Sequence, residues 1–231
     1  MIKAVFFDFY NTLATYHPPR EELYVNICHE LGIELEAKAL FSSLAAADIF
    51  YRNENLRSPI DKKSPEEKIN FYIEYATRII GGAGVEISRD TALQILAKVR
   101  EQKWEFKTFD DTLSTLKDLN NRGLILGLIS NVVQDMEPTY TELGLQPYLD
   151  FKVTSAEVGC DKPNPEIFQA ALKKAQVKPD EVVYVGDQYD LDIVGARGVG
   201  MTALLLDRND YFPDITDCPR IRSLTEVTEY I

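Results

Sequence analysis

The chain has 231 residues, 45% hydrophobic and 27% charged, a composition that excludes intrinsic disorder and allows one large domain or a domain carrying an insertion. A net charge of −12, with no Lys/Arg cluster to offset it, argues against nucleic acid and anionic membrane surfaces as partners. No run reaches the ~18–20 apolar residues of a membrane span, and Cys28, Cys160 and Cys218 are scattered without a C-x-x-C pair, which argues against a zinc site or a disulfide framework.

The N-terminus, M-I-K-A-V-F-F-D, enters strand-like sequence at once and lacks the flanks of a signal peptide, so a cytoplasmic location is expected. Residues 3–9 predict a buried strand. From Pro18 to Trp104 the pattern is helical. Leu23, Ile27 and Leu31 share one helical face before Gly32, and Leu40, Leu44, Ala47 and Tyr51 share another. Ser64, Pro65 and Glu67 form a capping box for a third helix, and a fourth starts after Ser88. Four amphipathic helices with short joints predict a small bundle.

Beyond Phe106 helices alternate with apolar runs: a helix over 111–122, the strand L-I-L-G-L-I-S, a short helix near 137–143 and the strand F-K-V-T-S. A helix capped by Asn164, the strand E-V-V-Y-V-G-D, a helix over 190–197, the strand T-A-L-L-L-D and a helix from Ser223 follow. Strands apolar throughout and separated by helices predict a parallel sheet covered on both faces. The expected fold is therefore α/β: a doubly wound, Rossmann-like core from residues 1–14 and 107–231, with residues 15–106 inserted as a four-helix domain.

Three of these strands end in chemistry-bearing residues: Asp8, the pair Ser130-Asn131, and Gly186-Asp187. In an open parallel sheet, ligands bind beyond the carboxyl ends of the strands, so distant positions converge on one rim. Lys162, in G-C-D-K-P-N-P ahead of a helix, overhangs the same rim. The segments D-F-Y-N-T (8–12), I-S-N (129–131), K-P-N-P (162–165) and G-D-Q-Y-D-L-D (186–192) together resemble the four motifs of the haloacid dehalogenase (HAD) superfamily, and the resemblance extends over the whole chain. That superfamily commonly carries a helical cap inserted after the first motif.

The resemblance implies that Asp8 is a nucleophile forming a covalent aspartyl intermediate. Thr12 and Ser130 would donate hydrogen bonds to the transferred group, beside Tyr10 and Asn131. Lys162 would neutralise charge. Mg²⁺ would be held by Asp8, the backbone carbonyl of Tyr10 and Asp187, with Asp192 in support. The physical logic is independent of family: a carboxylate approaching a phosphoryl group is repelled, so the transfer needs positioning and charge neutralisation.

Tyr10 departs from the phosphatase pattern, in which a second Asp at that position protonates the leaving oxygen. Haloacid dehalogenases resemble this chain at Tyr10, because a halide leaves without a proton, but they do not keep the acid at Asp187. The leading expectation is a Mg²⁺-dependent phosphatase of a small phosphorylated metabolite. A metal-independent 2-haloacid dehalogenase and a low-activity or inactive regulatory or binding protein are the alternatives. The sequence leaves the physiological substrate and the oligomeric state open.

Overall fold

The computed structural model describes residues 1–132 and 136–231, and no helix among them is long and apolar enough to cross a membrane. The chain divides into two compact units, Met1–Thr15 with Phe106–Ile231, and Tyr16–Glu105. In chain order the elements are β1 (Ala4–Phe7), β2 (Ala14–His17), α1 (Arg20–Glu30), α2 (Ala37–Arg57), α3 (Pro65–Gly82) and α4 (Arg89–Arg100). They continue with β3 (Glu105–Thr108), α5 (Thr112–Asn121), β4 (Ile125–Ser130), α6 (Glu137–Glu142), β5 (Phe151–Thr154), α7 (Ser155–Val158) and α8 (Pro165–Ala175). Last come β6 (Val182–Gly186), α9 (Val194–Gly198), β7 (Thr202–Leu206) and β8 (Arg220–Ile221).

The first unit is built on a six-stranded parallel sheet in the order β5-β4-β1-β6-β7-β8. Alternation along β1 sends Val5 and Phe7 to one face and Ala4 and Phe6 to the other. Val5 and Phe7 pack with Leu116, Leu119 and Tyr140 from α5 and α6, whereas Ala4 and Phe6 pack with Ile167, Phe168 and Ala196 from α8 and α9. The sheet is thus buried on both sides, which explains why β1, β4 and β6 read as continuous apolar runs rather than alternating ones.

The helical unit has its own core of Leu23, Ile27, Leu40, Leu44, Ile79, Ile80 and Ile95. Its α3 starts with the expected box: the Ser64 hydroxyl accepts from Glu67 N–H, and the Glu67 carboxylate accepts from Ser64 N–H. Next to this core Arg20 forks onto Asp48 at 2.6 and 3.1 Å, and the Tyr75 hydroxyl donates to the same carboxylate.

Three local expectations change. Asn164 precedes α8 but makes no side-chain cap; its amide donates instead to Asp161 O at 2.8 Å, tightening the loop before the helix. The helix expected over 190–197 opens as a π-helical turn, Tyr189–Ile193, before α9. The segment after Ser223 keeps its capping box but winds as a 3₁₀ helix, Leu224–Tyr230.

Candidate active site

The site lies at the carboxyl ends of three neighbouring strands, β4, β1 and β6, which deliver Ser130, Asp8 and Asp187 side by side. Asp8 follows β1 directly and still donates its N–H to Val185 O at 2.9 Å, so the ladder with β6 fixes where its side chain starts. The chain then folds tightly, with Phe9 O accepting from the N–H groups of Thr12, Leu13 and Ala14. Asn11 takes φ +61°, a left-handed conformation that asparagine tolerates better than most residues. This turn carries Tyr10, half-buried, and Thr12, fully buried with no hydrogen-bond partner for Oγ1.

Lys162 is 4% exposed, and its Nζ donates to Asp8 Oδ1 at 2.5 Å, Asp192 Oδ1 at 2.7 Å and the Tyr184 hydroxyl at 3.1 Å. Its backbone is also held: Lys162 N–H donates to Asn131 Oδ1 at 2.7 Å, and Asn131 Nδ2 donates to Lys162 O at 3.2 Å. Asn131, expected beside the substrate, therefore uses its amide to anchor the loop that presents Lys162. Burial alone would lower the Lys162 pKa, but the Asp192 and Asp8 carboxylates reverse that and raise it, so the ammonium stays charged. Burial raises the Asp8 pKa to about 6 despite the opposing pull of Lys162, with the Asp192 charge adding to the rise.

Asp192 also spends its oxygens within the protein. Its Oδ1 accepts from Lys162 and from the Tyr184 hydroxyl at 2.8 Å, and its Oδ2 accepts from Gln188 N–H at 3.0 Å. The strand-end glycine makes room for this: a Cβ on Gly186 would fall 2.3 Å from Asp192 Cγ. Burial and the nearby Asp192 and Asp8 charges hold the Tyr184 pKa well above its usual value, so the phenol is a donor to Asp192.

Asp187 is the unpaired member. It is 2% exposed, and neither carboxylate oxygen has a hydrogen-bond partner. Burial first, then repulsion from Asp8 and Asp192, raises its pKa well above the carboxylate range. An orphaned buried carboxylate is costly and calls for a compensating cation. Asp8, Asp187 and Asp192 each offer a carboxylate oxygen within 4.8 Å of the others. Asp8 and Asp192 share the Lys162 ammonium while Asp187 has no partner, and a carboxylate set of that charge fits a hard divalent cation such as Mg²⁺.

The sequence-selected residues thus occupy one rim. Asp8, Lys162 and Asp192 are in direct contact, Asn131 grips Lys162 through its backbone, and Ser130 ends β4 with 3% exposure. Sequence reasoning missed Tyr184. The available signal was a lone phenol in an aliphatic strand, two residues before Gly186 and so on the same face of β6.

The model of the family described as "Hydrolase: haloacid dehalogenase-like hydrolase" matches residues 2–200. The human haloacid dehalogenase-like hydrolase domain-containing protein 3 is 30% identical over 213 residues, covering 89% of this chain and 82% of that one. The glyceraldehyde 3-phosphate phosphatase of Methanothermobacter thermautotrophicus is 30% identical over 211 residues, covering 90% and 86%. A 2-haloacid dehalogenase structure from Pseudomonas syringae pv. Tomato DC3000 superposes with a TM-score of 0.56 at 22% identity, covering 99% and 97%, a likeness of fold alone. With its four motifs folded onto one sheet rim, this chain belongs to the haloacid dehalogenase-like hydrolase family.

Proposed function

We propose that this hydrolase is a Mg²⁺-dependent phosphatase of small phosphorylated metabolites, with Asp8 as nucleophile. The observation that carries the reading is the orphaned pair of Asp187 oxygens beside Asp8. The metal would be held by Asp8, Asp187 and the Tyr10 carbonyl, and when bound it supplies charge compensation for an anionic ester next to these carboxylates. The phosphatase name of the archaeal relative supports the same substrate class.

The protein's own groups account for the remaining work. An Asp8 oxygen attacks phosphorus and the bond to the leaving oxygen breaks, giving an acyl phosphate on Asp8. Water then attacks phosphorus, the bond to Asp8 breaks, and orthophosphate leaves with the carboxylate restored. Lys162 holds Asp8 in place and offsets the charge gathering there. The unpartnered Thr12 hydroxyl, with Ser130, is available to donate to the transferred group. The helical unit is assigned the role of substrate-selecting cap. With three free cysteines, a reducing cytoplasmic location fits.

Tyr10 stands where a carboxylic general acid would serve, and a phenol of pKa ~10 is a poor replacement at neutral pH. Turnover is therefore expected to depend steeply on the leaving group, with aryl and acyl phosphates hydrolysed at least about tenfold faster than alkyl phosphates. Equal rates across an aryl and alkyl series would show that another acid acts.

Tyr10 is also the one feature favouring halide displacement from a 2-haloacid by the same Asp8. Asp187 opposes it, because a metal-free reaction would leave this buried acid without any partner or use. Purified protein assayed with an aryl phosphate and with 2-chloropropionate, each with Mg²⁺ or EDTA, separates the two. Phosphate release lost in EDTA supports the proposal, and halide release indifferent to EDTA overturns it.

A further inference from the structure

Tyr184 lies at the middle of β6, paired in register with Phe6 of the neighbouring central strand. Its ring is fully buried and meets Phe168 edge-on, with centroids 5.4 Å apart. Among Val182, Val183, Tyr184 and Val185 it alone carries a side-chain polar atom, and that atom ends in the catalytic rim. The hydroxyl accepts from Lys162 Nζ at 3.1 Å and donates to Asp192 Oδ1 at 2.8 Å. Lys162, Asp192 and Tyr184 therefore close a three-membered ring of hydrogen bonds, from which Lys162 makes its remaining contact to Asp8.

The packing role of the ring does not account for this arrangement. A phenylalanine would fill the same space against Phe168 and spare the fold the desolvation of a hydroxyl. The donor count points elsewhere. An ammonium has three protons, and here they go to Asp8, Asp192 and Tyr184, so the orientation of Nζ is fully specified. Without the hydroxyl, one proton loses its acceptor, and Asp192 Oδ1 loses one of its two donors, keeping only Lys162. The ammonium would then be free to swing away from Asp8 by a few tenths of an ångström, and such errors in a reacting geometry are costly.

We infer that Tyr184 is a positioning residue for the reaction, aiming the Lys162 ammonium at Asp8 through its paired hydrogen bonds with Lys162 and Asp192. The inference rests on the phosphatase reading and deepens it. The Tyr184 hydroxyl contacts Lys162 and Asp192, and it acts on Asp8 through Lys162.

The test compares wild type with Tyr184→Phe, which keeps the ring, and Tyr184→Leu, which loses both ring and hydroxyl. Aryl phosphate hydrolysis with Mg²⁺, thermal melting, and the melting shift caused by orthophosphate plus Mg²⁺ are measured on each. Tyr184→Phe is expected to lower kcat about tenfold, the scale of one hydrogen bond to a charged group. KM should stay within about twofold and the orthophosphate shift should be retained, because binding does not require the exact aim of Nζ. Tyr184→Leu is expected to show a similar kcat with a much lower melting temperature. Should Tyr184→Phe not accumulate folded, Tyr184→Met provides the same hydroxyl deletion.

Wild-type kcat in a folded Tyr184→Phe protein would overturn the inference and leave the phenol a packing group. A raised KM and lost orthophosphate shift at unchanged kcat would also overturn it, by placing Tyr184 in substrate binding. A wild-type protein inactive on aryl phosphate but still melting higher with Mg²⁺ would count against the phosphatase reading instead, and is seen before any variant is made.

Discussion

Asp8→Asn is expected to lower kcat on an aryl phosphate by roughly 10⁴-fold or more while leaving the protein folded. The amide keeps the size of the carboxylate and an oxygen for Lys162, but it cannot form the acyl phosphate that the proposed mechanism requires. The stability side of this prediction has a definite sign. Burial raises the Asp8 pKa from 3.8 to about 6, so its stability term is fully present below the unfolded value and lost as pH rises through about 6. At pH 7.5 the metal-free wild type therefore carries an ionised, buried Asp8, at a cost that the neutral amide of the variant avoids. The variant should melt at or above the metal-free wild type at that pH, and the difference should shrink below pH 4. Loss of activity with a clearly lower melting temperature would indicate a damaged fold rather than a missing nucleophile.

Lys162→Met should be the most destabilising substitution in the rim. Its ammonium contacts two buried carboxylates, and Asp187 lies close by with none of its own hydrogen bonds. Removing one partner of a buried ion pair leaves uncompensated charge, at about 3–5 kcal/mol. For a chain of this size that corresponds to a fall of roughly 10 °C in Tm, alongside a large loss of kcat. The raised pKa of Lys162 means its stability term is fully present below the unfolded lysine pKa and is lost only as pH rises through the still higher folded value. The contribution is thus intact across the neutral range. Adding Asp192→Asn to Lys162→Met should recover part of the lost stability, since the second change removes one of the stranded charges. Additive losses in the double variant would contradict the pairing.

What was legible in the sequence followed from burial. Because β1, β4 and β6 are covered on both faces, each reads as an apolar run, and the first polar residue after it marks the rim: Asp8, Ser130, Asp187. Local signals that need only a few residues also came through, as in the Ser64–Glu67 box of α3. Contacts between distant residues did not. Asn131 grips the backbone of Lys162 across 31 positions, a use of its amide that no local pattern encodes. Arg208, in the loop after β7, forks onto Asp111 at 2.9 Å and donates to Thr12 O at 3.1 Å, supporting the turn that follows Asp8 from 196 positions away. Tyr184 was hidden for a different reason: in a buried strand an aromatic ring satisfies the core pattern whatever its hydroxyl does.

The proposed chemistry depends on Asp187 being a buried carboxylate without protein partners that a divalent cation completes. The most direct measurement is a Mg²⁺ titration of thermal melting at pH 7.5, on wild type and Asp187→Asn. Wild type should rise in Tm saturably with Mg²⁺. Metal-free Asp187→Asn should melt a few degrees above metal-free wild type, because the raised Asp187 pKa makes its stability term one that is lost as pH rises from near 4. The variant should then gain little or nothing from Mg²⁺. A wild type indifferent to Mg²⁺, or a variant that gains as much from it as wild type does, would contradict this role for Asp187.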